Sequence, residues 1–151
     1  MDLKEQYEKL LRYCYMKTND RFLAEDIVQE TYLKFWQSHQ YEDTGKELAY
    51  LYTIARNMCI DEYRKQKTLN IDDYQDLQVS ESVGQENVIN QIAIEKALAS
   101  IPEDLREIVT LRYISEVSAA DIAKIVGMSR FAVNRRIKHG LAQLRELLEK
   151  S

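Results

Sequence analysis

The chain has 151 residues, 45% hydrophobic and 30% charged, which is enough apolar content for one ordinary domain or two small ones and too much for a chain disordered throughout. Four Gly and one Pro leave few turn punctuators among many helix formers, so an all-α fold is expected and a strand-rich one is excluded. The formal net charge of -4 speaks against a nucleic-acid partner on its sum, but charge is segregated into blocks along the chain and the blocks decide more than the total.

The N-terminal segment is charged and amphipathic, without the apolar core of a signal peptide, and no later run approaches membrane-spanning length. A cytoplasmic protein without membrane insertion is expected. A first helix is predicted over residues 3–17, where Leu3, Tyr7, Leu10, Leu11 and Cys14 recur at helical spacing. Thr18-Asn19-Asp20 breaks it, and a second helix comes next over 21–38. Ala24, Val28, Tyr32 and Phe35 fall on one side of that helix, the expected core face. Asp26, Gln29, Glu30 and Leu33 share another side, with Trp36 one turn further. Carboxylates, an amide and an apolar centre on one face make a docking surface. The alternative is a solvated face on which Glu30 pairs with Lys34.

Residues 39–46, polar and containing Gly45, separate the second helix from a third over about 46–67. There Leu48, Leu51, Ile54, Ala55 and Met58 form the core stripe, while Tyr50, Asn57, Asp61 and Arg64 align on a different side that ends in Arg64-Lys65-Gln66-Lys67. Aromatic, amide and guanidinium groups hold unstacked bases while cations track the backbone, so Tyr50, Tyr52, Asn57 and Arg64 are candidates for gripping single-stranded DNA. Local capping and pairing by Asp61 and Arg64 is the alternative. Cys14 and Cys59 have neither Cys-x-x-Cys nor His partner spacing and are expected to be reduced packing residues, with no metal. From residue 68 to 95 there is no Lys or Arg, but Asp72, Asp73, Asp76, Glu81, Glu86 and Glu95 are present. Residues 68–84 are therefore expected to be a flexible acidic linker between two small helical domains, 1–67 and 85–151.

Beyond the linker come a helix near 86–99, one opened by Pro102 at a first-turn position, a short one over 118–126 and a long one over 129–149. Ser118-Ala119-Ala120-Asp121 has capping-box spacing, Gly127 permits the left-handed backbone of a sharp reversal, and Ser129 can cap the next helix. These are the parts of a helix-turn-helix. On its second helix Val133, Ile137, Leu141, Leu144 and Leu148 define the core stripe. Phe131, Arg135, Lys138 and His139 point the other way, with Arg130 and Asn134 near the N-terminal end. No Asp or Glu occurs from 122 to 145, while Lys124, Arg130, Arg135, Arg136, Lys138 and Arg145 all fall there. Arg130, Phe131, Asn134 and Arg135 have base-reading chemistry, and Arg136, Lys138 and His139 suit phosphates. The alternative is a solvated basic face with Phe131 tucked under a neighbouring helix.

In this order, the blocks resemble the extracytoplasmic-function sigma factors of bacterial RNA polymerase over nearly the whole chain. Ala24-Glu25-Asp26-Ile27-Val28-Gln29-Glu30-Thr31-Tyr32-Leu33-Lys34-Phe35-Trp36 is similar to the family's polymerase-binding helix. Tyr50-Leu51-Tyr52-Thr53-Ile54-Ala55-Arg56-Asn57, continuing to Asp61 and Arg64, is similar to its minus-ten-reading helix. Ile101-Pro102-Glu103, Leu111-Arg112-Tyr113 and Asp121-Ile122-Ala123 resemble its minus-thirty-five-binding domain. The resemblance implies that residues 1–67 are sigma region 2 and 85–151 sigma region 4. It implies that Asp26, Gln29, Glu30, Leu33 and Trp36 meet core polymerase at the clamp helices of the largest subunit, with a further contact to the flap of the second subunit. Tyr50, Tyr52, Arg56, Asn57, Asp61, Arg64 and Lys65 would bind the minus-ten element. Residues 39–46 would capture a flipped base, a step in which a pocket repays unstacking only for the right base. Promoter DNA and an anti-sigma factor are the other implied partners. Three departures stand out: Tyr50 replaces the family's usual Trp; Arg130-Phe131-Ala132-Val133-Asn134-Arg135-Arg136 replaces the commoner Gly-Thr-Val-Lys-Ser-Arg style of recognition helix, so the family's minus-thirty-five sequence does not transfer; and Gly140 replaces an Ala, which costs the long helix roughly 1 kcal/mol by propensity.

A stand-alone helix-turn-helix regulator with a dimerisation or ligand domain is the second reading, and it would bind duplex DNA tightly without polymerase. A helical adaptor would not need the basic face. No enzyme is expected and no cofactor: His39 and His139 stand alone, and no Gly-rich phosphate loop is present.

Overall fold

The computed structural model describes residues 3–38, 47–69 and 88–150, and the side chains of 3–38, 47–67 and 93–150. The base-capturing segment expected at 39–46, and all of the expected linker beyond Leu69, lie outside the described residues. Within them the chain forms seven α-helices and no strand: α1 (Leu3–Thr18), α2 (Arg21–Gln37), α3 (Glu47–Leu69), α4 (Val88–Ser100), α5 (Glu103–Val109), α6 (Ala119–Val126) and α7 (Arg130–Lys150). α5 runs into a single π-helical turn, Thr110–Ile114.

The three N-terminal helices pack pairwise. α1 ends where Asn19 takes a left-handed backbone, φ 59°. Asp20 then caps α2, its Oδ1 accepting from the Leu23 N–H at 3.1 Å. A polar side chain at this position satisfies one of the donors that every helix start leaves open. α2 buries the side predicted for it, Ala24, Val28, Tyr32 and Phe35, together with Ile27 and Thr31. Leu10, Tyr13 and Cys14 from α1 and Leu51, Tyr52, Ala55 and Cys59 from α3 complete this core. Both cysteines are buried and unbridged.

In the C-terminal half, Pro102 lies just ahead of α5 rather than in its first turn. The Arg106 guanidinium folds back onto the end of α4, donating to the carbonyls of Leu98 (2.8 Å) and Ile101 (3.0 Å). It thereby satisfies helix-end acceptors that lack an intrahelical partner. The π turn, marked by the Ser115 N–H bonding five residues back to the Thr110 carbonyl at 2.9 Å, was not expected from the sequence. One extra residue in a turn rotates the chain beyond it, and here it turns Leu111, Ser115 and Val117 inward.

The helix-turn-helix is capped as the residues predict. Ser118 Oγ accepts from the Asp121 N–H at 3.2 Å, Gly127 adopts φ 74°, and Ser129 Oγ accepts from the Ala132 N–H at 3.0 Å. Ile122 and Ile125 of α6 meet Val133 and Ile137 of α7 in the core. The stripe on α7 is shorter than expected: Leu141 and Leu144 are half-buried, and Leu148 is exposed.

Gly140 is better explained by its neighbours than by propensity. It is buried where α7 crosses α5, and a Cβ there would lie 2.6 Å from Val109 Cγ2 and 3.7 Å from Leu105 Cβ. Close approach accounts for the residue. Gly140→Ala is expected to lower unfolding free energy by about 1–2 kcal/mol, overpacking outweighing the propensity gain. Denaturant titration checks this, with Val109→Ala added to relieve the clash; a more stable single variant would contradict it.

Candidate polymerase and nucleic-acid interfaces

α2 carries its mixed face on the side opposite the core. Asp26, Gln29, Glu30, Leu33 and Trp36 are all exposed, Leu33 by 52% and Trp36 by 64%. Glu30 and Lys34 form no ion pair among the described residues; the pair on this helix is Arg21–Glu25 at 3.5 Å. The solvated, internally neutralised alternative therefore lacks its ion pair. The Trp36 ring is held rather than loose, tilted against Tyr32 at 5.6 Å, with Tyr32 stacked on Tyr7 at 6.3 Å and its hydroxyl donating to Gln6 Oε1 at 2.9 Å. Phe22, exposed by 81%, extends the same row. Phe22, Asp26, Gln29, Leu33 and Trp36 recur at steps of three and four, a spacing present in the sequence although Phe22 precedes the motif block.

On α3 the predicted set divides. Tyr50, Asn57, Asp61, Arg64 and Lys65 are exposed, with Tyr50 braced against Phe35 at 5.7 Å. Tyr52 and Arg56 are not presented to solvent as a strand-binding surface requires. Tyr52 is 0% exposed, its ring edge-on to Tyr13 at 5.3 Å, and burial pushes its hydroxyl pKa above the usual range. Arg56 donates through Nε to Glu107 Oε2 at 2.7 Å. The cause in both cases is the same: the C-terminal helices pack on this side of α1 and α3, a contact that no local pattern signals.

That contact is built around one buried carboxylate. Glu107, 5% exposed, accepts from the Tyr13 hydroxyl at 2.6 Å and from Arg56, with Lys17 Nζ 3.6 Å away. Burial alone would raise its pKa, but the Arg56 hydrogen bond, the Lys17 charge and the Tyr13 hydroxyl outweigh that and hold it below the ordinary glutamate value. At the rim, Lys17 reaches Glu103 at 3.2 Å and Lys9 reaches Glu116 at 2.6 Å. Apolar residues of both halves, from Leu10 and Tyr52 to Leu111, Val117 and Ile122, form one continuous cluster.

On α7 the outward row is present as predicted. Arg130, Phe131, Asn134, Arg135, Lys138 and His139 are exposed; Phe131 is 74% exposed rather than tucked under a neighbour, and the Arg135 guanidinium lies over its ring at 5.5 Å. Arg136 differs, since its Nη1 donates to Asp104 Oδ2 of α5 at 2.8 Å. His139 pairs with Gln143 at 3.0 Å. Among the described residues no group of three or more His, Cys, Asp or Glu is placed to hold a metal ion, and no helix is long and apolar enough to cross a membrane.

A capped helix-turn-helix with a basic outer row in an all-helical chain is the architecture of a DNA-binding protein. Residues 3–68 match the Sigma-70 region 2 family and residues 91–144 the Sigma-70 region 4 family. The chain is 32% identical over 146 residues to the ECF RNA polymerase sigma factor SigL of Mycobacterium tuberculosis, covering 93% of this chain and 82% of that one. It is 28% identical over 159 residues to the ECF sigma factor SigW of Bacillus subtilis, covering 93% and 83%. It also superimposes on the sigma factor RpoE of Bartonella quintana, co-crystallised with the anti-sigma factor NepR, with a TM-score of 0.83 and 27% identity over 97% of this chain and 94% of that one. The chain belongs to the extracytoplasmic-function sigma factors of bacterial RNA polymerase, which serve transcription initiation. One superposition spanning both halves means that their mutual placement, and not only each fold, is shared with RpoE.

The depressed Glu107 pKa fixes the sign of a pH effect. A carboxyl whose pKa is lower in the packed state adds stability above its unfolded pKa, about 4.3, and loses it as pH falls through the lower packed value. Wild-type melting temperature is expected to fall from pH 5 toward pH 3 more steeply than that of Glu107→Gln. The variant itself should lose on the order of 3 kcal/mol at pH 7, from leaving Arg56 and Tyr13 facing an uncharged amide in a buried site. Parallel pH profiles in thermal melts would contradict this.

Proposed function

We propose that the outer face of α2 is the polymerase-docking surface, with Asp26, Gln29 and Glu30 meeting the clamp helices of the largest subunit and Phe22, Leu33 and Trp36 supplying the apolar anchors. The observation that carries this is the separation of faces: α2 and α7 each bury one stripe in the core and expose a row of opposite chemistry, acidic and apolar on α2, basic and aromatic on α7. An acidic docking row cannot hold phosphates, and a basic one can. α7 then reads the minus-thirty-five duplex from the major groove, with Arg130, Phe131, Asn134 and Arg135 at base edges and Lys138 and His139 at the backbone. Arg136 serves the fold first, through Asp104. α3 takes the melted minus-ten strand, with Tyr50 as the stacking platform and Asn57, Asp61, Arg64 and Lys65 along it. Residues 1–67 and 85–151 are the two functional units, the second also contacting the polymerase flap, and residues 68–84 tether them. The protein works in the cytoplasm, under an anti-sigma factor, and contributes binding energy rather than bond chemistry.

Run-off transcription with purified core polymerase tests the docking face. Asp26→Arg/Glu30→Arg and, separately, Phe22→Ser should lose promoter-specific product at least tenfold, with helix content by circular dichroism unchanged; a truncated apolar anchor alone is worth about 2 kcal/mol. Full activity in both would contradict the assignment. For α7, Arg135→Ala should reduce the slope of log affinity against log salt by about one in binding to promoter duplex, and Arg136→Ala by clearly less. Equal slopes for the two variants would contradict the separation drawn between them.

A further inference from the structure

Among the described residues, Lys67 lies over the ring of Tyr63, Arg112 over Tyr113 and Arg135 over Phe131. The last differs from the other two, because its ring has no polar atom and it stands on the outer row of the helix-turn-helix. Phe131 is 74% exposed in the first turn of α7, a turn fixed by Ser129 Oγ accepting from the Ala132 N–H. A single exposed apolar side chain is ordinary on a protein surface; one backed by a guanidinium within a basic DNA-facing row is not.

The Arg135 Cζ sits 5.5 Å from the Phe131 ring centroid. Stacking occupies the flat face of the guanidinium and leaves the N–H donors at its edge for another partner. Arg136, one residue on, is tied to Asp104, whereas Arg135 has no carboxylate partner among the described residues. Its own helix supplies none nearby, since no Asp or Glu occurs from 122 to 145.

The major groove restricts what such a pair reads. Two parallel N–H donors in a fixed fork match the O6 and N7 acceptors of guanine, and no other base presents two acceptors side by side there. A ring without donor or acceptor distinguishes bases only through apolar atoms, and the C5 methyl of thymine is the apolar group that the groove displays. Residues four apart on a helix are about 6 Å apart along its axis, and adjacent base pairs about 3.4 Å. A ring and a guanidinium in contact with each other therefore meet the same or neighbouring base pairs. Guanine and thymine never share one pair, so they are neighbours.

We propose that Phe131 and Arg135 act as one reading unit for a guanine flanked by a 5-methylpyrimidine in the minus-thirty-five element. The inference rests on the assignment of α7 to that duplex and names what this chain selects in it. It is particular to this chain, because Arg130 to Arg136 is where its recognition helix departs from the family's commoner sequence. Beside the guanine the methyl group is read and not the base, so 5-methylcytosine substitutes for thymine there and uracil does not. Phe131 also backs Arg135: with one face already covered, the guanidinium loses less freedom on meeting guanine.

Selection of fully randomised duplexes, long enough for both promoter elements, by the full chain on core polymerase yields the element. For wild type, a guanine beside a thymine is expected upstream of the minus-ten element. Binding of that duplex by the same complex, after changes of single groups, tests the unit. Thymine→uracil, which removes one methyl, should weaken wild-type binding about fourfold and Phe131→Ala binding less than about twofold. With cytosine in that place, 5-methylation should strengthen wild-type binding by a similar factor. Guanine→7-deazaguanine should cost wild type about tenfold and Arg135→Lys little, since an ammonium does not make the paired bonds. The losses from Phe131→Ala and Arg135→Ala should combine to less than their sum. Circular dichroism should show both variants folded, because both side chains are exposed. An equal uracil penalty in wild type and Phe131→Ala, or a wild-type element without neighbouring guanine and thymine, overturns the proposal. If Arg130→Ala and Asn134→Ala alter the selected element while Phe131→Ala and Arg135→Ala do not, the unit fails and α7 remains the duplex reader. If none of the four alters it, the assignment of α7 fails as well.

Discussion

One buried carboxylate organises this molecule. Glu107 is surrounded by Tyr13, Lys17 and Arg56 from the other half of the chain, and a charge in that position is tolerable only because those three groups replace the water it has lost. Without them, α5 and the π turn would present an unpaired carboxylate to the apolar surface formed by Leu10, Tyr52 and Cys59. Such ion pairs contribute little net stability compared with an apolar substitute, because desolvation offsets attraction. In the arrangement observed, each of the three carboxylates Glu103, Glu107 and Glu116 is paired with a cation of the other half.

Legibility in the sequence depended on range. The helix-turn-helix was legible almost completely, since Ser118, Gly127 and Ser129 act on backbone groups within four residues of themselves and each does what its chemistry indicates. The face assignments on α2 and α7 were legible because a helix repeats its orientation every few residues, and Asp26, Leu33, Phe131 and Arg135 lie where that repeat puts them. The π turn was not, because an inserted residue breaks the repeat without any residue type of its own to announce it. Nor were the partners of Lys9, Tyr13 and Arg56. Lys9 and Glu116 are 107 positions apart, and nothing local to either distinguishes them from solvated surface charges.

Two sites changed meaning for this reason. Tyr52 and Arg56 stand in the minus-ten motif block, and the structure puts them in the junction instead. Gly140, a propensity defect when the helix is considered alone, is the residue that lets α7 approach Val109. In each case a tertiary neighbour, absent from any single helix, decides the role.

Docking on polymerase, as proposed, covers the outer face of α2, where Leu33 and Trp36 are exposed. Hydrogen–deuterium exchange of the full chain, alone and with core polymerase, measures that cover directly. Slower exchange along the outer turns of α2 is the predicted result. Unchanged exchange along α2 with saturating core polymerase would contradict the account.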